Sequence, residues 1–230
     1  MLKRENKASS LSYEQFHRDW TTILAHCDAS GLQPKYLSAT GQYARFLPLM
    51  KKIGVLPEPC RGLDFGCGPG LTLLLAKQMG VHVEGLDLPW DILRTVPESE
   101  TNPSKDDNYM PRGPRGLYES FFNIQQRLNH ESFFIKHVDT SQYPWPYDEN
   151  TFNFVIASWS ITKDVISWRV SGRQEIPQFL PGRICEIARI LAPAGSLFIQ
   201  GGSGKTSHAK LVRQYGDIVL NNKKIKVLEF

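Results

Sequence analysis

Three glycines at alternate positions, Gly66, Gly68 and Gly70, follow the run Leu63-Asp64-Phe65, and Asp87 stands 21 residues beyond the first of them. Glycine lets the main chain approach a ligand where any Cβ would clash. A carboxylate about 20 residues on, at the end of the next strand, can accept hydrogen bonds from both hydroxyls of a ribose. Together they are the means of holding a nucleoside-like ligand at the carboxyl ends of parallel strands. The dinucleotide spacing Gly-x-Gly-x-x-Gly would need glycine where Leu71 stands, so a pyrophosphate ligand loses ground. The bland reading is a tight strand-to-helix connection, and Asp87 weighs against it.

The elements that must position these residues can be read from hydrophobic periodicity. Leu63-Asp64-Phe65 reads as a short buried strand, Leu71 to Met79 as a helix stopped by Gly80, and Val81 to Leu86 as the next strand. This strand–turn–helix–strand unit starts a parallel sheet. Before it, Phe16, Trp20, Ile23, Leu24 and Cys27 recur at helical spacing over 12–29, with Ser12 and Gln15 as a capping box. A second helix fits 40–53. After it, 97–116 is rich in Pro, Asn, Asp, Gly and Arg and reads as a long insertion, of a kind that often serves as a lid. A helix over 117–129, strands over 133–138 and 152–157, a helix over 184–191 and a strand over 196–200 follow. The tail, Ile218-Val219-Leu220 and Ile225 to Phe230 around Asn221-Asn222, suggests a hairpin. The expected organisation is a helical cap over 1–54 and a ligand-binding α/β domain over 55–230, together one compact unit.

The chain has 230 residues, 41% of them hydrophobic and 22% charged, which suits a globular protein with one core. The net charge of +4 is carried by scattered pairs such as Lys51-Lys52 and Lys223-Lys224, the pattern of a solvated surface more than of a nucleic-acid patch. The cysteines, Cys27, Cys60, Cys67 and Cys185, form no Cys-x-x-Cys pair, so neither a zinc site nor a disulfide scaffold is expected. No apolar run is long enough to span a bilayer. The expectation is a cytoplasmic protein with no membrane partner; oligomeric state is not legible.

Leu63 to Gly70 resembles the first motif of class I S-adenosylmethionine-dependent methyltransferases, and Gly85-Leu86-Asp87-Leu88 resembles the second. Val138-Asp139-Thr140 and the run Tyr143 to Val155 resemble the stretch that contacts adenine and enters strand four, with Asn153 where the family usually has Asp. Arg183 to Ile199 resembles the helix and Pro-Gly-Gly turn before strand five, with Ala194 replacing one glycine. The resemblance covers about 36–200 in the correct order and is nearest to small-molecule, type 11-like members. It implies an α/β, Rossmann-like class I methyltransferase fold: a central, mostly parallel sheet with helices on both faces and an N-terminal helical cap. It implies S-adenosyl-L-methionine as cofactor, bound by Asp64, Gly66, Cys67, Gly68, Gly70, Asp87, Leu88, Asp139, Thr140 and Ser158.

For the acceptor the resemblance implies the carboxyl ends of strands four and five. Ser158, Trp159, Ser160 and Lys163-Asp164 follow strand four and should approach it; Trp159 is a candidate pocket wall, and Tyr36 and Tyr43, with Arg45, are candidates on the N-terminal helices. Asp164 and His137 are the catalytic candidates; His17, His26 and His130 are further histidines that could accept a proton, and Arg112 and Arg115 could hold an anion. Each has a plain packing or surface reading. The Asn/Asp-Pro-Pro-aromatic signature of base and glutamine methyltransferases is absent after strand four. A small-molecule acceptor is therefore the leading expectation. An RNA or protein acceptor, or a non-catalytic regulatory module, is the alternative. Two decoys are set aside. Gly202-Ser203-Gly204-Lys205-Thr206 lacks the glycine a phosphate loop needs at Ile199, and Cys60 precedes strand one, whereas a cytosine-methylating nucleophile follows strand four.

Overall fold

Parallel strands cannot be joined by tight turns, so the alternation of apolar runs and helical segments builds a sheet with crossover connections. The computed structural model describes residues 6–32, 34–94, 114–161, 180–201 and 207–230. Its strands are β1 (Arg61–Phe65), β2 (His82–Asp87), β3 (Ile135–His137), β4 (Phe152–Ser158), β5 (Leu191–Gln200) and β6 (Lys226–Glu229). They form one sheet in the order β3-β2-β1-β4-β5-β6. The registers β1–β2, β1–β4, β4–β5 and β5–β6 are all parallel. The chain steps outward from β1 to β3 and then returns to the other side of β1 as β4. That reversal is the switch point at which Rossmann-like sheets open a crevice beyond their carboxyl ends.

The chain forms two compact units. The first, Met1–Leu56, Gly68–Val81 and Pro89–Ile135, is mainly helical. It contains α1 (Tyr13–Ala25), α2 (Pro34–Leu37), α3 (Ala39–Ile53), α4 (Leu71–Gln78), α5 (Trp90–Leu93) and α6 (Pro114–His130), preceded by a 3₁₀ turn over Lys7–Ser10. Helix α1 buries Phe16, Trp20 and Ile23 along one stripe, and the Ser12 hydroxyl caps it by accepting from Gln15 N at 3.2 Å. The expected helices over 12–29, 40–53, 71–79 and 117–129 are thus present with shifted ends. The expected insertion over 97–116 lies outside the described residues as far as residue 113, with Arg112, and so does the Arg115 side chain.

The second unit, Pro57–Cys67, His82–Leu88 and Lys136–Phe230, carries the sheet with α7 (Leu180–Ile190) and α8 (His208–Asn222). Its core joins Leu63, Val155, Ala157, Leu197 and Ile199 of the strands to Ile184, Ile187, Val212 and Leu220 of the two helices. Strand β4 is buried on both faces, which is why it reads as a near-continuous apolar run.

The C-terminus differs from the expected hairpin. Ile218-Val219-Leu220 belongs to α8, and β6 pairs parallel to β5. The cause is tertiary. Ala209, Val212, Gly216 and Leu220 recur at helical spacing and are buried, and Ser207 caps the helix. Helical burial overrides the local strand preference of a β-branched pair. Asn221-Asn222 ends the helix, and Lys224 turns the chain with φ 55°.

Candidate functional site

In the sheet unit, β1 to β4 deliver the predicted residues to one end. Asp64 is the penultimate residue of β1, lies 3% exposed, and is in register with Gly85 and Ile156 on either side. Gly66 follows with φ 66°, and its N–H donates to Leu86 O at 2.7 Å, as Cys67 N–H does at 3.3 Å. A Cβ on Gly66 would lie 2.4 Å from Ser160 Cβ, so the close approach of the post-β4 turn requires glycine. Asp87 ends β2, one strand away, and Leu88 N donates to its Oδ1 at 2.8 Å. The two carboxylates share the neighbourhood of Cys67. Burial, then Asp87 and Asp64, push that thiol well above its ordinary range.

Cys67 therefore carries a protonated, unreactive thiol. In the native protein at pH 8, a thiol reagent is expected to label exposed Cys185 and to spare Cys67 until unfolding. Mass spectrometry of the labelled peptides reads this directly, and rapid native labelling of Cys67 would contradict it.

Beyond β3, the Asp139 Oδ1 accepts from Ser141 N (3.0 Å) and Ser141 Oγ (2.6 Å), an Asx turn that fixes the loop entering the site. Thr140 is buried, and its Oγ1 accepts from Arg183 Nη2 at 3.4 Å. At the end of β4, Ser158 Oγ donates to Gln200 Oε1 of β5 at 2.9 Å. Trp159 follows with φ 58° and 43% of its surface exposed. A bulky residue in the left-handed region is an outlier, and such outliers cluster at functional sites. The conformation is held by Trp159 N–H donating to Gln200 O at 2.7 Å, and the indole meets the His208 ring edge-on at 5.7 Å. The next residue, Ser160, donates its hydroxyl to Phe65 O at 2.5 Å.

The helical unit holds the rest of the glycine turn. Gly70 (φ 71°) is the N-cap of α4, and a Cβ there would meet Leu128 Cδ1 at 2.4 Å. Gly68 O accepts from Gln125 Nε2 at 2.7 Å. The Phe121 ring lies 3.5 Å from where a Gly68 Cβ would be, and Tyr36 meets Phe121 edge-on at 5.4 Å. Tyr36 thus reaches the neighbourhood of the turn through Phe121, and burial raises its phenol, which stays protonated. Tyr43 instead packs against Tyr13 and Phe16, with ring centroids 5.6 and 5.7 Å away.

His137 ends β3, and burial lowers its pKa, so the ring is neutral at neutral pH. Strand β3 is three places from β4 in the sheet. At about 4.8 Å per strand that is roughly 14 Å, so His137 is not brought to Trp159. Asp164, Lys163 and 202–206 lie outside the described residues. Arg183 and His208 are the site residues that sequence reasoning missed. His208 heads a helix that the sequence did not mark, and no local signal marks Arg183. Among the described residues no group of three His, Cys, Asp or Glu side chains could hold a metal ion, and no helix is long and apolar enough to cross a membrane.

The arrangement fits a nucleoside-bearing cofactor. The chain bends without a Cβ at Gly66, a carboxylate ends β2 one strand away, and a second loop carboxylate follows β3. Among known families, the one described as "Methyltransferase domain" matches residues 36–229. No curated protein matches. Solved structures that resemble the chain include the PH0226 protein from Pyrococcus horikoshii, 18% identical over 77% of this chain and 62% of that one, with a TM-score of 0.45. Another is a putative sarcosine dimethylglycine methyltransferase from Galdieria sulphuraria, 14% identical over 92% and 66%, with a TM-score of 0.43. A third is a phosphoethanolamine N-methyltransferase 2 from Haemonchus contortus, 18% identical over 93% and 44%, with a TM-score of 0.44. The chain spans less than two thirds of the length of each of these structures.

Proposed function

Because the chain belongs to the methyltransferase-domain family, matched over residues 36–229, we propose that it methylates a small molecule, with S-adenosyl-L-methionine held at the ends of β1, β2 and β3. The observation that carries the acceptor class is the make-up of the ends of β4 and β5. Among the described residues the side chains there are Ser158, Trp159 and Gln200, with His208 against the indole. That is an aromatic and amide lining, where a nucleic-acid acceptor would call for clustered Lys and Arg.

The bound cofactor supplies an already activated methyl group on a sulfonium sulfur, so the chain's task is orientation. The Asp87 carboxylate, pinned by Leu88 N–H, accepts hydrogen bonds from ribose hydroxyls. Gly66 presents bare main chain, and Asp64 adds a buried carboxyl group beside it. Asp139 and Thr140 frame the base. Trp159 offers a ring face, which attracts cationic groups.

The test is a titration with S-adenosylhomocysteine, expected to bind near 1:1. Asp87→Ala is expected to weaken it by about 10–100-fold, the loss of a charge-assisted hydrogen bond of roughly 1.5–3 kcal/mol. A wild-type protein that shows no binding refutes the cofactor site. The acceptor class is tested by methyl transfer from labelled cofactor to a panel of small amines and alcohols against short RNAs. Transfer to RNA alone, with binding that weakens steeply in salt, overturns the small-molecule reading.

A further inference from the structure

Arg183 is 4% exposed, in the first turn of α7, and neither the glycine turn nor the acceptor residues account for it. Burying a guanidinium is costly unless its donors are used. Here Nη1 donates to Ile161 O at 3.2 Å and Nη2 to Thr140 Oγ1 at 3.4 Å, while the Cζ lies 5.6 Å from the Phe65 ring centre. These partners are far apart in sequence but share one place in the fold. Phe65 is the last residue of β1, Thr140 is in the loop after β3, and Ile161 closes the turn after β4. Each is within three residues of a group assigned to the cofactor: Gly66, Asp139 and Ser158. Ser160 adds a direct tie between two of these segments through Phe65 O. Phe65 is also stacked on Trp145 at 5.0 Å, so the strand end is held from both α7 and the β3–β4 connection.

We propose that Arg183 is a positioning residue of the cofactor site, its planar fork holding the β1 end, the post-β3 loop and the post-β4 turn in one binding geometry. The proposal rests on the cofactor reading above. The chemistry needs arginine. Five donors in a rigid plane can reach two acceptors and still lie against a ring, whereas a lysine ammonium supplies one flexible point. Such segments at strand ends are the parts of a fold that open most readily, so a fixed link among them acts on binding geometry more than on global stability.

The experiment titrates the wild type, Arg183→Met, Arg183→Lys, Thr140→Val and Ser160→Ala with S-adenosylhomocysteine by calorimetry, with thermal unfolding of each. Arg183→Met is expected to raise the dissociation constant about tenfold or more at a stoichiometry that stays near one, and Arg183→Lys to recover only part of the loss. Thr140→Val keeps the arginine buried and removes one acceptor; a rise of about threefold or more is expected without loss of cooperative unfolding. Ser160→Ala combined with Arg183→Met is expected to cost less than the product of the two single effects, since both cut the same tie. A residue that only fills the core would lower the stoichiometry of competent protein and leave the dissociation constant unchanged, and that result overturns the proposal. If Arg183→Met does not fold, Arg183→Lys decides: an unchanged dissociation constant overturns the proposal. Absence of wild-type binding refutes the cofactor reading and the proposal with it, whereas tight wild-type binding with unaffected variants refutes the role of Arg183 alone.

Discussion

Gly66→Ala is expected to lower affinity for S-adenosylhomocysteine by at least about 100-fold while the protein still unfolds cooperatively. Two independent penalties meet at this position. With φ 66° the residue is in the left-handed region, which costs a residue with a Cβ roughly 1–2 kcal/mol. The added Cβ would also lie 2.4 Å from Ser160 Cβ and 3.2 Å from its Oγ. Neither contact can stand, so the post-β4 turn or the glycine turn must move, at an overpacking cost of about 1–3 kcal/mol. Movement of Ser160 stretches its bond to Phe65 O, the link between the turn and the end of β1. If the protein relaxes into an alternative turn, that turn no longer offers the main chain to a ligand. Gly80→Ala is the control. It has φ 64° but nothing within 4 Å of the added Cβ, so it carries the backbone penalty without the clash. It is expected to lose about 1–2 kcal/mol of stability and no affinity. Binding by Gly66→Ala within threefold of wild type would show that the turn does not need its present geometry.

The glycine turn was legible before the fold because its signal is local. A backbone that must run left-handed selects glycine at fixed offsets, and the acidic residue ending the next strand comes at a near-constant distance. The parallel sheet follows from the same pattern, since strands separated by helices leave few arrangements. What could not be read is what depends on residues meeting across the sheet. Arg183 reaches Thr140 over 43 residues, and Ser160 reaches Phe65 over 95. No spacing rule predicts either pair. The C-terminal segment failed for a related reason. Ile218 and Val219 carry strand preference, but the burial of Val212 and Leu220 on one stripe decides for a helix, and that burial is a property of the assembled core. Trp159 was singled out by type, whereas its left-handed backbone, the better argument for function, is invisible until the chain is folded.

Phe154→Ala is expected to cost about 3–5 kcal/mol of stability, the range for removing a fully buried aromatic side chain. Phe154 is 0% exposed at the middle of β4, where it pairs with Gly62 of β1 and Ser196 of β5. Its ring occupies the space a side chain on Gly62 would take, 2.2 Å from the Cβ position, and meets the Phe198 ring edge-on at 6.1 Å. The strand interior thus keeps a glycine, which weakens a strand, because its neighbour's ring fills the gap. Gly62→Ala alone should therefore destabilise, since the ring has buried neighbours and little room to move. In the Phe154→Ala background the same substitution is expected to stabilise, filling part of the cavity and reducing the freedom of the unfolded chain. The two changes should couple with opposite signs in a double-mutant cycle measured by urea unfolding, by about 1–3 kcal/mol. Additive effects would mean that ring and glycine do not share this space. Because β1 leads directly into Gly66 and β4 into Trp159, the doubly substituted protein should also bind S-adenosylhomocysteine more tightly than Phe154→Ala alone. The packing that joins these two strands would then set the geometry of the site beyond their ends.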